Sequence, residues 1–592
     1  MNEANIDKSH KAHTRTKNQL PATRNGLFCA LAMAAAVLIS NPSANMPFID
    51  DFSYIKSALD FAHTGRFIYN GWAVEILGWL IPWGALFIKL FGFSFTGMRL
   101  SMLPLAMLTV FLFHQILRRF GANAQNSVLG ALTLGISPLF LPMAASFMTD
   151  VPGLLVIVVC IYMCQRAVAA TSDRSALLWL CTATAVNVAG GTVRQIAWLG
   201  ALVMVPSTAW LLRRRRGMKV TAALLFLTAL AGVEACMHWF ARQPYSVPEH
   251  IIAGPIHAKM FVHLGAQLFK TLLCLLLVIF PVSVAWLSTA RRLDRNARMR
   301  VAGAMTLLFF VAIGLYARGA LDGWSMPWLT PVIAAQASWM PGFFGMASPT
   351  VTLWTRVAVS LLVIAPAVIL AEQIAAQNLH KVHSTGWQAA SWDEMGWILG
   401  PFSLSYLFLL FPRASFTIAQ DRYVLGLVPL AIIVLLRLHQ EWVAAKPPWI
   451  SLATLVVFAA YSIAGTHNFF AWSRAIVKTV QVLQDSGVPR TSIQAGLASD
   501  GWVQIQDGRH VNDPRILVPA GAYRPDLDEL RLPPPCRYEF SSLMPAITPK
   551  YFLIFPPMSC FAPTKFPPVR YTTWLPPFHG TIYVQQLKTG VD

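Results

Sequence analysis

Acidic residues are scarce in this chain: 26 Asp and Glu stand against 46 Lys and Arg in 592 residues, and charged residues of both signs make up only 12%. With 56% hydrophobic residues and a mean hydropathy of +0.53, so little charge excludes a soluble domain of this length and a disordered chain. A glycine-rich phosphate loop of the Walker or Rossmann kind is missing, since Gly190 and Gly191 follow no strand pattern; a nucleotide site of that type is excluded. No internal repeat relates the two halves, which speaks against the repeat plan of many secondary transporters. Metal-ligand spacing is missing too. His63, His257 and His263 stand singly, and the one Asp-x-Asp, Asp526 and Asp528, reads as a solvated turn, so no metal is required, although a divalent ion stays possible.

Long apolar runs are what the chain has. Thirteen stretches read as membrane spans: 26–41, 100–117, 127–142, 152–169, 176–190, 195–212, 220–240, 266–289, 301–316, 351–371, 395–411, 424–436 and 449–465. The net charge of +20 does not point to nucleic acid, because its basic residues fall in short loops between the runs. Arg118 and Arg119, Arg213 to Arg216, Arg291 to Arg300, and Arg437 with Lys446 form a positive-inside pattern. It predicts a basic cytoplasmic tail over 1–25, a first span that is not cleaved, and a C-terminal segment outside. Segment 72–92 carries Glu75, Pro82 and three Trp; it reads as re-entrant or interfacial, because a span there would invert every later loop.

This topology makes the outer loops legible. In the first, "DDFSYIKSALDFAH" spaces Phe52, Ile55, Leu59 and Ala62 as one face of a surface helix that ends at Gly65. Asp51 then reads as its N-cap, which leaves Asp50 without a structural task. The second outer loop has Asp150 as its only charge, placed before Pro152, where it serves either as a cap or as a site residue. Arg194 is the sole charge of the third, either a lipid-facing anchor or a site residue. Asp421, Arg422 and Tyr423 mark the entrance of a late span. Carboxylates suited to move a proton and arginines suited to hold phosphate thus converge on one side of the membrane. Trp72, Trp79, Trp83, Trp324 and Trp328 read as an interfacial belt.

Three segments carry a resemblance: "DDFSY" at 50–54, "IKLFGFSFTGMRLSMLPLAMLTVFLFHQILRRFG" at 88–121, and "DRYVLGLVPL" at 421–430. In layout over about 26–470 the chain resembles the GT-C glycosyltransferases that use polyprenyl-phosphate sugars. The similar group is that of the bacterial aminoarabinose transferases and rhizobial lipopolysaccharide sugar transferases, with protein O-mannosyltransferases more distant. The resemblance implies an all-α polytopic membrane protein of about thirteen spans in a bacterial inner membrane. It implies Asp50 and Asp150 as the catalytic acids. Asp51, Tyr54, Glu75, Arg194, Arg422 and Tyr423 would serve the substrates, with no cofactor. The donor would be a polyprenyl-phosphate sugar; the acceptor, an envelope glycan, a lipid or a protein, stays open. The aminoarabinose transferases carry a Glu-Lys-Pro segment after the surface helix; here "GWAVEILGW" has Glu75 but no Lys. A transporter or lipid flippase remains the alternative.

Beyond 465 a helix at "THNFFAWSRAIVKTVQVLQDSGVP" and short strands at "TSIQAGL", "KYFLIFPP" and "TIYVQQL" predict a small extracytoplasmic α+β domain over 466–592. "SDGWVQIQDGRHVNDPRI" reads as a lid, an acceptor platform or a structural cap over the outer cavity. Cys29, Cys160, Cys164, Cys181, Cys236 and Cys274 lie in apolar runs, whereas Cys536 and Cys560 are outside and are expected to pair.

Overall fold

The computed structural model describes residues 22–248, 258–317, 353–375, 390–416, 420–525, 540–555 and 557–588. His257, Trp324, Trp328, Asp526, Asp528 and Cys536 lie outside them, as does the side chain of His263. The chain opens with α1 (Ala22–Ile39), then α2 (Asp51–Thr64), α3 (Leu80–Phe91), α4 (Phe95–Leu100), α5 (Leu103–Arg119), α6 (Ala124–Gly135) and α7 (Phe140–Ala144). Next come α8 (Asp150–Val168), α9 (Asp173–Gly191), α10 (Val205–Leu211), α11 (Met218–Ala241), α12 (Ala258–Val278), α13 (Phe280–Ser283) and α14 (Arg295–Ala317). The helical part ends with α15 (Leu353–Ala375), α16 (Trp392–Phe416), α17 (Val428–Trp442), α18 (Trp449–Asp485) and α19 (Leu497–Gly508).

Among the described residues, eight helical segments are long and apolar enough to cross a bilayer, or nine if the pair Gln267–Val278 and Phe280–Arg292, bent by 68°, counts as one. The protein is therefore a polytopic helical membrane protein, but the thirteen expected crossings are not all of that kind. α6 has 12 residues and α17 has 15, lengths of about 18 and 22 Å against a hydrocarbon core of about 30 Å. The stretch at 195–211 is broken by a 3-10 turn and a π-turn, and α9 is long enough but less apolar. A run of apolar residues looks the same in sequence whether lipid or neighbouring helices cover it. α3, at 12 residues and about 18 Å, is too short to span, in keeping with an interfacial place for 72–92.

The bundle has two chemically different ends. α8 begins at Asp150 and runs 19 residues, about 28 Å, to a basic end. There Arg215 Nη2 donates to the carbonyl of Ala170 at 2.9 Å, and the backbone N–H of Ala390 donates to that of Arg119 at 3.3 Å. The end that carries Asp150 also carries α2 and the C-terminal sheet.

The expected boundary at 465 falls inside α18, one uninterrupted helix of 37 residues and about 56 Å. Nothing between Trp449 and Asp485 breaks it, since Gly465 lacks only a Cβ. The last span and the helix that leads to the C-terminal sheet are thus one rod. Beyond it β1 (Ile493–Gln494) pairs in parallel with β2 (Tyr551–Ile554), which lies antiparallel to β5 (His579–Leu587); β3 (Phe561–Pro563) and β4 (Val569–Thr572) also pair with β5. Trp574 anchors this sheet on α18: its ring stacks 3.9 Å from that of His467, and its backbone N–H donates to Asn468 Oδ1 at 2.6 Å. Cys560 is disulfide-bonded, and the six cysteines of the apolar runs are free thiols.

Candidate functional site

Two arginines hold the loop after α1 by its carbonyls. Arg474 Nη1 donates to the carbonyls of Asn41 and Ser43 at 2.9 Å each. Arg99 donates to those of Pro42 at 3.1 Å, Ala44 at 2.8 Å and Met46. Arg99 is 1% exposed, with its guanidinium 5.1 Å from the centre of the Phe470 ring. The clamp delivers the chain to Asp50 and the start of α2.

Asp50 and Asp51 then part company. Asp51 is fully buried; its Oδ1 accepts from the backbone N–H of Phe48 and its Oδ2 from that of Phe147 at 3.2 Å. It is the first helical residue and makes no capping bond, and the N-cap position belongs to Asp50, which makes none either. The N-cap expectation for Asp51 is thereby corrected: it joins two loops by their backbones, each of its oxygens accepting one N–H. Burial pushes its carboxyl up to about 7, against the opposing pull of Arg99 and the two N–H groups.

Asp50 points elsewhere. Its Oδ1 accepts from the indole N–H of Trp72 at 3.2 Å and its Oδ2 from Arg422 Nη2 at 3.1 Å. Arg422 reaches this place from the 3-10 turn Asp421–Val424, where its backbone N–H donates to Asp421 Oδ1 at 2.7 Å and its Nε to Gln420 Oε1. Its Nη1 lies 3.9 Å from Asp150 Oδ2, while Arg194 Nη2 lies 3.1 Å from Asp150 Oδ1. Asp150 is 2% exposed. Thr149, not Asp150, occupies the N-cap position of α8 and makes no capping bond; instead its Oγ1 accepts from Arg194 Nη1 at 3.0 Å. Two acids from the loops ahead of α2 and α8 thus meet two arginines from the loops ahead of α10 and α17.

The remaining candidates frame the same spot. Tyr54, one turn along α2, donates its O–H to Glu75 Oε2 at 3.1 Å. Burial raises the carboxyl of Glu75 above its ordinary range, with Arg194 and Arg422 pulling the other way. Burial, together with Glu75, also raises the Tyr54 hydroxyl. The guanidinium of Arg194 sits 5.8 Å from the centre of the Tyr423 ring, and the carbonyl of Tyr423 accepts from the Tyr406 O–H at 2.8 Å. Asp50, Tyr54, Glu75, Asp150, Arg194, Arg422 and Tyr423 are therefore one cluster, and Asp51 stands behind it.

Sequence reading missed four contributors. Arg99 and Tyr406 lie in apolar helices where no local signal marks them. Trp72 was assigned to the interfacial belt; its N–H instead fixes Asp50, and Trp79 and Trp83 spend theirs on the carbonyls of Gly190 and Ser101. Gly153 lies one turn into α8, where a Cβ would stand 2.7 Å from the Arg194 Cβ; the bare helix surface lets that arginine lie down against it. Among the described residues no group of three or more His, Cys, Asp or Glu could hold a metal ion.

No family model matches the sequence, and no curated protein matches it by sequence. Solved structures are found at low identity and low TM-score. The Saccharomyces cerevisiae protein O-mannosyltransferase Pmt1–Pmt2 complex bound to the sugar donor is 16% identical, over 38% of this chain and 33% of that one, with a TM-score of 0.30; the match spans about a third of that relative. ArnT from Cupriavidus metallidurans bound to undecaprenyl phosphate is 12% identical over 70% of this chain and 76% of that one, TM-score 0.31. The archaeal oligosaccharyltransferase AglB from Archaeoglobus fulgidus is 14% identical over 77% and 58%, TM-score 0.35. These are glycosyltransferases of the GT-C class, the group the sequence resembles.

Proposed function

We propose that the chain is a membrane glycosyltransferase that moves a sugar from a polyprenyl-phosphate donor to a hydroxyl acceptor at the outer face of a bacterial inner membrane. The observation that carries this reading is the cluster in which Asp50 and Asp150 share Arg422, with Arg194 on the far side of Asp150. Two guanidinium groups at the end of a helical bundle suit a lipid phosphate, whose tail lies among the spans. Asp150 acts by holding both guanidinium groups through charge, and Asp50 shares Arg422 with it.

Asp50 is the base. When the donor phosphate takes Arg422, the 3.1 Å contact to Asp50 is replaced, and Asp50 keeps the Trp72 N–H that orients it. The acceptor O–H passes its proton to Asp50 as its oxygen bonds to the anomeric carbon. The carbon–oxygen bond to phosphate breaks, and polyprenyl phosphate leaves with the electron pair, its charge met by Arg194 and Arg422. Attack from the face opposite the leaving group inverts the anomeric centre. Incubation of the purified protein with radiolabelled polyprenyl-phosphate sugars tests the reading. Turnover with inverted product is the expected result, whereas binding without turnover of any donor would sink it in favour of a carrier.

A further inference from the structure

Away from the charged cluster, on the same end of the molecule, a cleft of about 470 Å³ opens between α18 and α19, within the size range of small-ligand pockets. Its floor is Asn45, Met46 and Pro47, the clamped segment that runs into Asp50 three residues later, a separation of at most about 11 Å. The α18 wall combines Val477 and Val480 with a stripe of exposed polar side chains, Gln481, Gln484 and Asp485, spaced i, i+3 and i+4. The facing wall is Trp502 of α19.

Trp502 is held rigidly. Its ring lies parallel to Phe93 at 5.7 Å with a 6° tilt, and its edge meets Phe95 at 4.9 Å. The loop that brings α19 into place is equally fixed. Arg490 Nη2 donates to Ser499 Oγ and Asp500 Oδ1 at 2.8 Å each, and Asp500 accepts from the backbone N–H groups of Ala495 and Gly496. α19 itself sits on α2, where Gly501 faces the Phe52 ring so closely that a Cβ would stand 2.7 Å from it.

We infer that this cleft binds the saccharide portion of the acceptor, so that the hydroxyl donor of the proposed transfer is a glycan or glycolipid and not a peptide. The inference rests on the transferase reading given above. A sugar ring has an apolar C–H face and a polar rim; the cleft opposes a fixed indole to a row of amide and carboxylate groups that donate to and accept from hydroxyls. The peptide alternative by strand addition needs a row of unpaired backbone groups, whereas α18 and α19 present helix side chains with their backbone groups spent inside the helices. Its continuity with the Asp50 segment leads a bound sugar toward the base.

Titration calorimetry on the full-length protein in nanodiscs tests this with chitotetraose, maltotetraose and the oligosaccharide released from lipopolysaccharide by mild acid. At least one binds the wild type, and Trp502→Ala weakens it ten-fold or more. Since Trp502 also packs on two Phe rings, the double variant Gln481→Ala/Gln484→Ala, which alters only exposed side chains, is expected to weaken it similarly. Absence of binding by all three oligosaccharides, or unchanged affinity in both variants, overturns the cleft. Turnover of a polyprenyl-phosphate sugar by the wild type is measured in parallel. Its absence overturns the transferase reading alone, because the titration needs no donor.

Discussion

Two buried charge clusters sit at opposite ends of the bundle and differ in how fully they are closed. At the basic end Arg437 Nε lies 2.9 Å from Glu441 Oε1, and its Nη1 donates to the carbonyl of Ala390. Trp392 Nε1 completes Glu441 Oε2 at 2.8 Å, while the Trp392 ring lies 4.7 Å from the Arg437 guanidinium. Both oxygens and the cation have fixed partners, so the pair is part of the scaffold. At the other end Asp150 has two arginines beside it and no aligned hydrogen bond. Charge balance without hydrogen-bond closure fixes Asp150 less firmly than Glu441 is fixed. On the proposed reading the closed pair is scaffold and the other meets the donor phosphate.

The comparison breaks most severely at its closed side. Arg437→Ala strands Glu441 in a buried site and should cost about 3–5 kcal/mol, read as a large fall in the thermal midpoint of the detergent-solubilised protein; an unchanged midpoint would mean the pair is not structural. Next is Asp50→Asn, which keeps size and the Trp72 contact but removes the base. Turnover should fall by about 100-fold or more while yield and donor binding persist; near-normal transfer would remove Asp50 from the chemistry.

Asp51→Asn acts on stability instead. Asn offers one acceptor to two backbone N–H groups, so one is left unsatisfied at a cost of about 1–3 kcal/mol. The pH dependence has a definite sign. A buried carboxyl raised to about 7 from an unfolded value near about 4 binds its proton more tightly in the folded state. It therefore stabilises fully below about pH 4, and that contribution is lost as pH rises through 7. Thermal midpoints measured from pH 4 to 8 should decline for the wild type and flatten for the variant, with the deficit largest in acid. The smallest effect belongs to Arg422→Lys, which keeps the charge and loses the planar fork. Donor affinity should drop about ten-fold, seen as a higher KM with a lesser change in kcat; no change in KM would place the phosphate elsewhere.

How far the sequence was legible follows from the range of each signal. The helix at Asp51–Thr64, its Gly65 stop and the strands at 551–554 and 579–587 are written in local periodicity, but the expected exposed face of that helix is not observed, since Ser53 and Ser57 are fully buried. The membrane class is legible too, because apolar content is a property of composition. The count of spans is not local, since α6 and α17 take their cover from other helices. The continuity of α18 through residue 465 was missed because a change of composition was read as a change of element.

The sequence by itself determined that this is a many-helix membrane protein and that a few isolated charges, Asp50, Asp150, Arg194 and Arg422, stand where lone charges need partners, because stranding an ion in an apolar setting is costly. Tertiary structure alone decided who those partners are. Asp50 meets Arg422 across 372 positions of sequence, and the adjacent Asp51 turns to backbone amides instead. Neighbouring side chains on a helix leave it about 100° apart, so the packing of the loops, and not the identity of the residues, sends one acid into the site and the other behind it.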